Sequence, residues 1–327
     1  MSRSKVSGAR DRVANLQHRE LGIAAVSFTT IVWGLVPLVL KEVRMPTLGF
    51  AMYRLWLGVA IYGAVLLLDG RRLRWNVIRA CALGGVFFGL DVSLTFNAFQ
   101  ITSVANATII GALAPVFIAL GAVRLFGERL ERRDYLFMLL SFAGVALVAV
   151  GSAGSGDRSV FGDTLAFAST ISWTAYWLFS KRARRDVTAL EYMATVMLVA
   201  AVVVTVLNVV STVAGVPEAG LRPPVGGDWI WIVLVAVLPG ATGHWLVAWS
   251  HRHVEAWLAS LITQCTPVVG SVAAWVLIGE ALPPLVIAGG LIVLTATAAI
   301  VVKEARAVER DPAVNDLEPL SPDPSGG

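Results

Sequence analysis

The feature that most constrains this chain is the recurrence of apolar runs about twenty residues long, each closed by a short cluster of charge. A run of that length crosses the roughly 30 Å hydrocarbon core of a bilayer as a helix. A barrel strand needs only about 9–11 residues of alternating polarity, and these runs are longer and apolar on every side. The reading is an all-α integral membrane protein with ten spans, near 21–40, 48–68, 78–99, 103–123, 135–151, 162–180, 189–211, 229–249, 254–278 and 282–302.

Composition agrees: mean hydropathy is +0.73, 57% of the 327 residues are apolar and 15% are charged, which excludes an ordinary soluble domain. The net charge of +4 belongs to membrane sidedness, and no nucleic-acid partner follows from it. Counting Lys and Arg on alternate sides of the ten spans places 20 on one side and 4 on the other, with Arg54 and Arg79 inside spans. A missed or extra span would scramble that split, so the positive-inside rule puts both termini in the cytoplasm of a multi-pass cell-membrane protein. Residues 1–20 form a cytoplasmic amino-terminal segment, and the first span lacks a small-residue cleavage site, so it is retained. The proline-rich tail, 303–327, reads as disordered. Cys81 and Cys265 lie inside apolar runs and read as small hydrophobes.

The row repeats itself. Leu21, Gly22, Trp33 and Lys41 recur as Phe161, Gly162, Trp173 and Lys181 at an offset of 140; Ala107, Pro115, Gly127, Glu128 and Leu130 recur as Ala259, Pro267, Gly279, Glu280 and Leu282 at an offset of 152. The extra residues fall between the second and third spans of each half, around Pro217 to Pro224. Two five-span halves, 21–151 and 162–302, follow one another, and an odd span count inverts the second relative to the first.

Several residues inside the spans are candidates for function. Asp91 lies near the middle of the third span, where a carboxylate costs roughly 2.5–3.5 kcal/mol. Its repeat position is Gly243, next to His244. Asp91 and His244 are thus expected at similar depth, lining one cavity to bind a polar group or relay a proton, or else acting as a satisfied structural pair. Trp33 and Trp173, mid-helix at matched positions, are candidate cavity walls, with core packing as the alternative. Trp257, Ser260, Gln264 and Ser271 form a polar stripe on the ninth span; Ser260 and Gln264 are equally read as substrate contacts or inter-helix hydrogen bonds. Arg54 reads as snorkelling outward in preference to meeting an anionic substrate. Pro115 and Pro267, equivalent bends in the two halves, are candidate gating kinks. Glu128 and Glu280, beside Gly127 and Gly279, are read as helix-end or inter-helix contacts. Gly85 and Gly89 are read as a close-packing pair within the bundle, and the turn His251-Arg252-His253 as solvated.

The motif Ser103-Val104-Ala105-Asn106-Ala107 through Pro115 to Phe126-Gly127-Glu128-Arg129-Leu130, echoed at Cys265-Thr266-Pro267 to Ile278-Gly279-Glu280, with Trp33-Gly34 and Arg54, resembles the ten-span EamA-type branch of the drug/metabolite transporter superfamily. The second half departs from the pattern at Trp173-Thr174 and has no arginine matching Arg54. What the resemblance implies is two inverted five-helix bundles around a central cavity, moving a small organic metabolite, amino-acid-like compound or drug, with efflux preferred. Without a GxxxxGK[ST] loop, an HExxH or a GxSxG, neither ATP hydrolysis nor an enzymatic role is expected, and neither a metal nor a cofactor. The expected partners are a small-molecule substrate and membrane lipid, with a coupling proton or an exchange substrate both open and the chain a monomer or homodimer. A flippase for a lipid-linked headgroup, a membrane enzyme and a non-transporting assembly factor are the alternatives.

Overall fold

In the computed structural model, which describes residues 3–102, 104–152, 159–217 and 219–309, the regular elements of the described residues are all helical. Of the tail 303–327 read as disordered, residues 303–309 instead continue the last helix, and the rest lies outside the described residues from 310 onward. Helix α1 (Arg3–Gly34) and the short α2 (Val36–Glu42) form the first span, broken ahead of Pro37. The second and third spans are α3 (Thr47–Leu68) and α4 (Trp75–Ile101). The fourth is divided into α5 (Val104–Gly111) and α6 (Ala114–Phe126), and α7 (Arg132–Gly151) completes the first half. The second half runs through α8 (Val160–Ala183) and α9 (Ala189–Val213) to a divided eighth span, α10 (Asp228–Val235), a π-helical segment (Ala236–Gly243) and α11 (His244–Ser250). The ninth span is α12 (Ala256–Thr263) plus α13 (Thr266–Ile278), and α14 (Pro284–Glu309) is the tenth.

Nine of these spans are long and apolar enough to cross a bilayer on their own composition. The tenth, α8, is 24 residues long but buries Ser169, Thr170, Ser172, Thr174 and Ser180. It lies among α4, α5 and α6, so its polar face meets protein rather than lipid, which is where polar side chains of a spanning helix are tolerated.

The inversion is visible in matched local geometry. After a break, α6 and α13 each begin with Pro at the first turn, run 13 residues, and end on a left-handed glycine, Gly127 (φ +68°) and Gly279 (φ +70°). A glycine meets no Cβ penalty in that conformation, hence its use as a helix stop. Gly127 lies at the end of the bundle where α1 begins, Gly279 at the opposite end. Packing is matched too: α4 rests on α8 and α9, while its counterpart, α10 through α11, rests on α1 and α3.

Close approach of the central helices depends on residues with no side chain. A Cβ at Gly85 or Gly89 of α4 would stand 2.6 Å from Val199 Cβ or 2.8 Å from Val203 Cβ of α9. The pair read as close packing within the bundle does that work. Gly144 of α7 and Gly289 of α14 interlock likewise, a Cβ at either falling 2.8 or 2.5 Å from the other's carbonyl oxygen. Small residues let membrane helices approach to van der Waals contact where no hydrophobic drive exists between them and lipid. Gly85→Leu is therefore expected to cost about 1–3 kcal/mol through overpacking, read as a lower apparent melting temperature and loss of the monodisperse peak in detergent, while Leu67→Ala on the lipid-facing side leaves both unchanged.

Candidate functional site

The divided eighth span supplies one wall of the site. Pro239 lacks an N–H and the π turn carries one residue more than an α turn, so carbonyls in this stretch lose their usual partners. Backbone groups at membrane depth must find donors within the protein, and three side chains provide them. Trp33 Nε1 donates to the Pro239 oxygen at 3.0 Å, Tyr62 Oη to the Ala241 oxygen at 2.5 Å, and Thr29 Oγ1 to the Gly243 oxygen at 3.3 Å. The π segment is thereby tied to α1 and α3, and His244 begins the helix that follows it.

A cavity of about 260 Å³ opens against this wall. Trp33, Val36 and Leu40 line it from the first span, Phe50 and Arg54 from α3, Phe88, Asp91, Thr95 and Phe96 from α4, Trp173 from α8, and Val235, Pro239 and His244 from the eighth span. It occupies the half of the bundle next to the 43–46 and 214–227 connections. Asp91 and His244, expected at one depth, do line one cavity. Ser169 Oγ donates to Asp91 Oδ1 at 2.7 Å and Thr95 Oγ1 to the same oxygen at 3.4 Å, while the two hydroxyls lie 2.6 Å apart. Among the described residues no donor is set on Oδ2. His244 Nδ1 is 3.2 Å from Tyr176 Oη. Its ring is surrounded by Phe88 at 4.6 Å, Trp33 at 4.9 Å and Trp173 at 6.2 Å between centroids, and Trp33 and Trp173 meet edge-on at 5.6 Å. The two matched tryptophans are thus cavity walls in direct contact.

Arg54 departs from the snorkelling reading. It is two turns inside α3, on the same face as Phe50 four residues before it, and that face turns inward. Its Nε is buried without a hydrogen-bond partner, and it shares the cavity with Asp91 without closing an ion pair to it. Ser260 and Gln264 lie apart from the cavity. Ser260 Oγ turns back to the Trp257 oxygen of its own helix at 2.8 Å. Gln264 Nε2 donates across the bundle to the Ala112 oxygen at 2.9 Å. The break ahead of Pro115 leaves that carbonyl without its helical partner, because Val116 N bonds Leu113 instead. Position 264 is the repeat equivalent of position 112, so the two broken spans meet at their breaks and one caps the other.

At the end of the bundle where α1 begins, charged side chains join the halves. Lys181 Nζ lies 2.8 Å from Glu128 Oε1 and donates to the Val254 oxygen at 2.6 Å; Glu128 Oε1 also accepts from Ala256 N at 3.1 Å. Arg19 pairs with Glu255 at 3.1 Å. Glu128 is therefore the inter-helix contact expected of it. The adjacent turn is not solvated throughout: His251 is 2% exposed, packs on Trp177, and sets Nδ1 2.7 Å from Ser180 Oγ. Burial, then the Lys181 and Arg184 cations, hold its imidazole well below the usual histidine range.

Thr95, Ser169, Tyr62 and Thr29 carry the site's hydrogen bonding and have no motif in the row. Only Thr95 leaves a trace, four residues from Asp91 and so on the same face.

Apolar spans packed around a cavity that holds ionisable groups define a multi-pass membrane protein. The chain belongs to the EamA-like transporter family, whose profile matches it twice, over residues 20–150 and 160–302. It is similar to an uncharacterized transporter of Archaeoglobus fulgidus, 24% identical over 278 residues, covering 84% of this chain and 93% of that protein. A protein of Escherichia coli (strain K12) named "Probable amino-acid metabolite efflux pump" is 24% identical over 289 residues, covering 85% of this chain and 93% of its own. A protein crystal structure 21% identical superposes with a TM-score of 0.73, covering 86% of this chain and 97% of that one, a likeness of fold alone.

Two outcomes follow from these contacts. Gln264→Leu leaves the Ala112 carbonyl bare and is expected to destabilise the fold by about 1–3 kcal/mol, seen as a lower melting temperature that Gln264→Asn does not restore, its amide being one methylene short. Because the folded chain holds His251 neutral while the unfolded chain protonates it near pH 6.5, its contribution to stability is complete above that pH and is lost as the pH falls below it. Melting curves from about pH 7.5 to 5 should decline more steeply for the wild type than for His251→Asn.

Proposed function

We propose that this chain is a secondary transporter of a small amphipathic organic solute, of amino-acid-like character, that works by alternating access and runs outward. The observation that carries the reading is Arg54, its Nε buried and unpartnered, in one cavity with Asp91 and an aromatic wall. A cation in a spanning helix is expensive, and an anionic group on the solute would supply the hydrogen-bond partner that Arg54 Nε lacks. Asp91, with no donor on Oδ2 among the described residues, suits the solute's ammonium group or a proton; occupancy by one or the other would couple movement to a proton gradient. Trp33, Trp173, Phe88 and Phe96 suit an apolar body. The printed name of the Escherichia coli relative supports the amino-acid-like class and the outward direction.

Placing both termini in the cytoplasm of the cell membrane is supported by the 20-to-4 division of basic residues. In that orientation the cavity lies in the outer half, and the layer of Arg19–Glu255 and Lys181–Glu128 closes the inner half. The equivalent breaks ahead of Pro115 and Pro267 are the bends on which the two halves would exchange that arrangement.

The test is comparison of intracellular and extracellular metabolites in cells expressing wild type, Arg54→Gln, Asp91→Asn or Ser260→Ala at verified membrane abundance, followed by proteoliposome uptake of the solute found. Arg54→Gln is expected to weaken apparent affinity by about tenfold to a hundredfold, the worth of one or two charge-assisted hydrogen bonds. Asp91→Asn should abolish pH-driven accumulation, and Ser260→Ala should match wild type. Transport unchanged in both Arg54→Gln and Asp91→Asn would overturn the site; no solute moved by wild type would overturn the transport reading.

A further inference from the structure

A second hollow lies far from the solute cavity, on the outer wall of the first half. The break ahead of Pro115 directs α6 toward α8 and α12, leaving a groove of about 300 Å³ between α6 and α7. Leu113, Val116 and Ala119 form one side, Tyr135, Met138, Leu139 and Phe142 the other. Ala119 and Met138 make a buried floor, and Leu139, 63% exposed, stands on the rim. The groove is apolar along its length and open sideways, at hydrocarbon depth.

Immediately beyond its shallow end stand Arg124, Arg129, Arg132 and Arg133, all exposed. The neighbouring acids are in ion pairs of their own: Glu131 and Asp134 share Lys303 at 3.1 and 2.7 Å, and Glu128 pairs with Lys181 at 2.8 Å, so the four arginines outnumber the charge left on these acids. Among the described residues none of the four arginines forms an ion pair. From Ala119 to Arg124 the helix rises about 7.5 Å, and the groove extends a further 9–10 Å toward the bilayer centre. That places guanidinium groups outside any ion pair of the described residues at the interface, with an apolar slot directly beneath them.

The second half lacks both parts. At the 152 offset Met138 becomes Gly290, where a Cβ would meet Val268 at 3.2 Å, so α13 and α14 touch where α6 and α7 part. Arg124, Arg129, Arg132 and Arg133 become Val276, Ala281, Pro284 and Leu285.

We propose that the α6–α7 groove seats an acyl chain of an anionic phospholipid whose phosphate is held by Arg129, Arg132 and Arg133 with Arg124. Guanidinium groups match phosphate oxygens in paired hydrogen bonds, and basic sites between helices on the cytoplasmic side select anionic headgroups. The bound lipid would fill the space the broken helix leaves and brace α6 against α7.

The experiment uses the full chain in phosphatidylcholine nanodiscs containing a phosphatidylglycerol probe with a photoactivatable acyl chain, and in parallel a phosphatidylcholine probe with the same chain. After irradiation, labelled peptides are mapped by mass spectrometry. The phosphatidylglycerol probe should label peptides within 113–142 at least about tenfold more than the phosphatidylcholine probe, given the summed attraction of several arginines. Replacing Arg129, Arg132 and Arg133 together by Gln should bring the two probes level, while Lys at the same three positions should keep most of the preference. Leu139→Trp, on the exposed rim, should lower labelling by both probes. Melting curves establish that each variant is folded. Equal labelling by the two probes in wild type, or a preference undiminished by the Gln variant, overturns the headgroup assignment. Labelling spread evenly over the lipid-facing helices overturns the site, as does cross-linking of these peptides to a second copy of the chain.

Discussion

Hydrocarbon offers no hydrogen bonds, so every carbonyl and amide at membrane depth must find its partner within the protein. Four of the ten spans break that rule locally: at Pro37, ahead of Pro115, through the π segment around Pro239, and ahead of Pro267. The arrangement of the other helices follows from how the freed carbonyls are satisfied. Trp33, Tyr62 and Thr29 bring α1 and α3 against the π segment, and Gln264 brings α12 against the end of α5. Because Trp33 also faces the cavity, a side chain that fixes the backbone forms part of the surface a solute would touch.

Charge is sorted by the same economy. In the ion pair of Lys181 and Glu128, Nζ also donates to the Val254 carbonyl and Oε1 also accepts from the Ala256 amide, while Glu128 Oε2 has no partner among the described residues. Among the described residues Arg54 Nε has no partner, and the donors to Asp91 both fall on Oδ1. The two sets of charges differ in geometry: Lys181 and Glu128 pair directly across the halves, whereas among the described residues Arg54 and Asp91 share one cavity without closing an ion pair.

The fold was legible in the row because both of its determinants are linear. Span length follows from bilayer thickness, and the repeat kept Pro115 and Pro267, Gly127 and Gly279 at a fixed offset. Depth was legible as well, which is why Asp91, His244, Trp33 and Trp173 converge. Facing was not. Arg54 and Gln264 each sit where sequence permits two directions, and only the packing of α3 and of the paired breaks decides between them. His251 was misread because a short turn normally meets solvent, whereas this one folds back onto Trp177. Ser169 had no signal at all: a serine in a helix rich in small polar residues gains its place only once α8 lies against α4.

The hydrogen bond from Gln264 to the Ala112 carbonyl has a genetic consequence. The two positions descend from one, yet they now do opposite things, one supplying a donor and the other an acceptor. A bundle assembled from two copies of the first half would set alanine at both positions and leave the Ala112 carbonyl without its amide donor. At this contact each half completes the other, and the duplication has become a commitment: neither half carries the information to stand in for its partner.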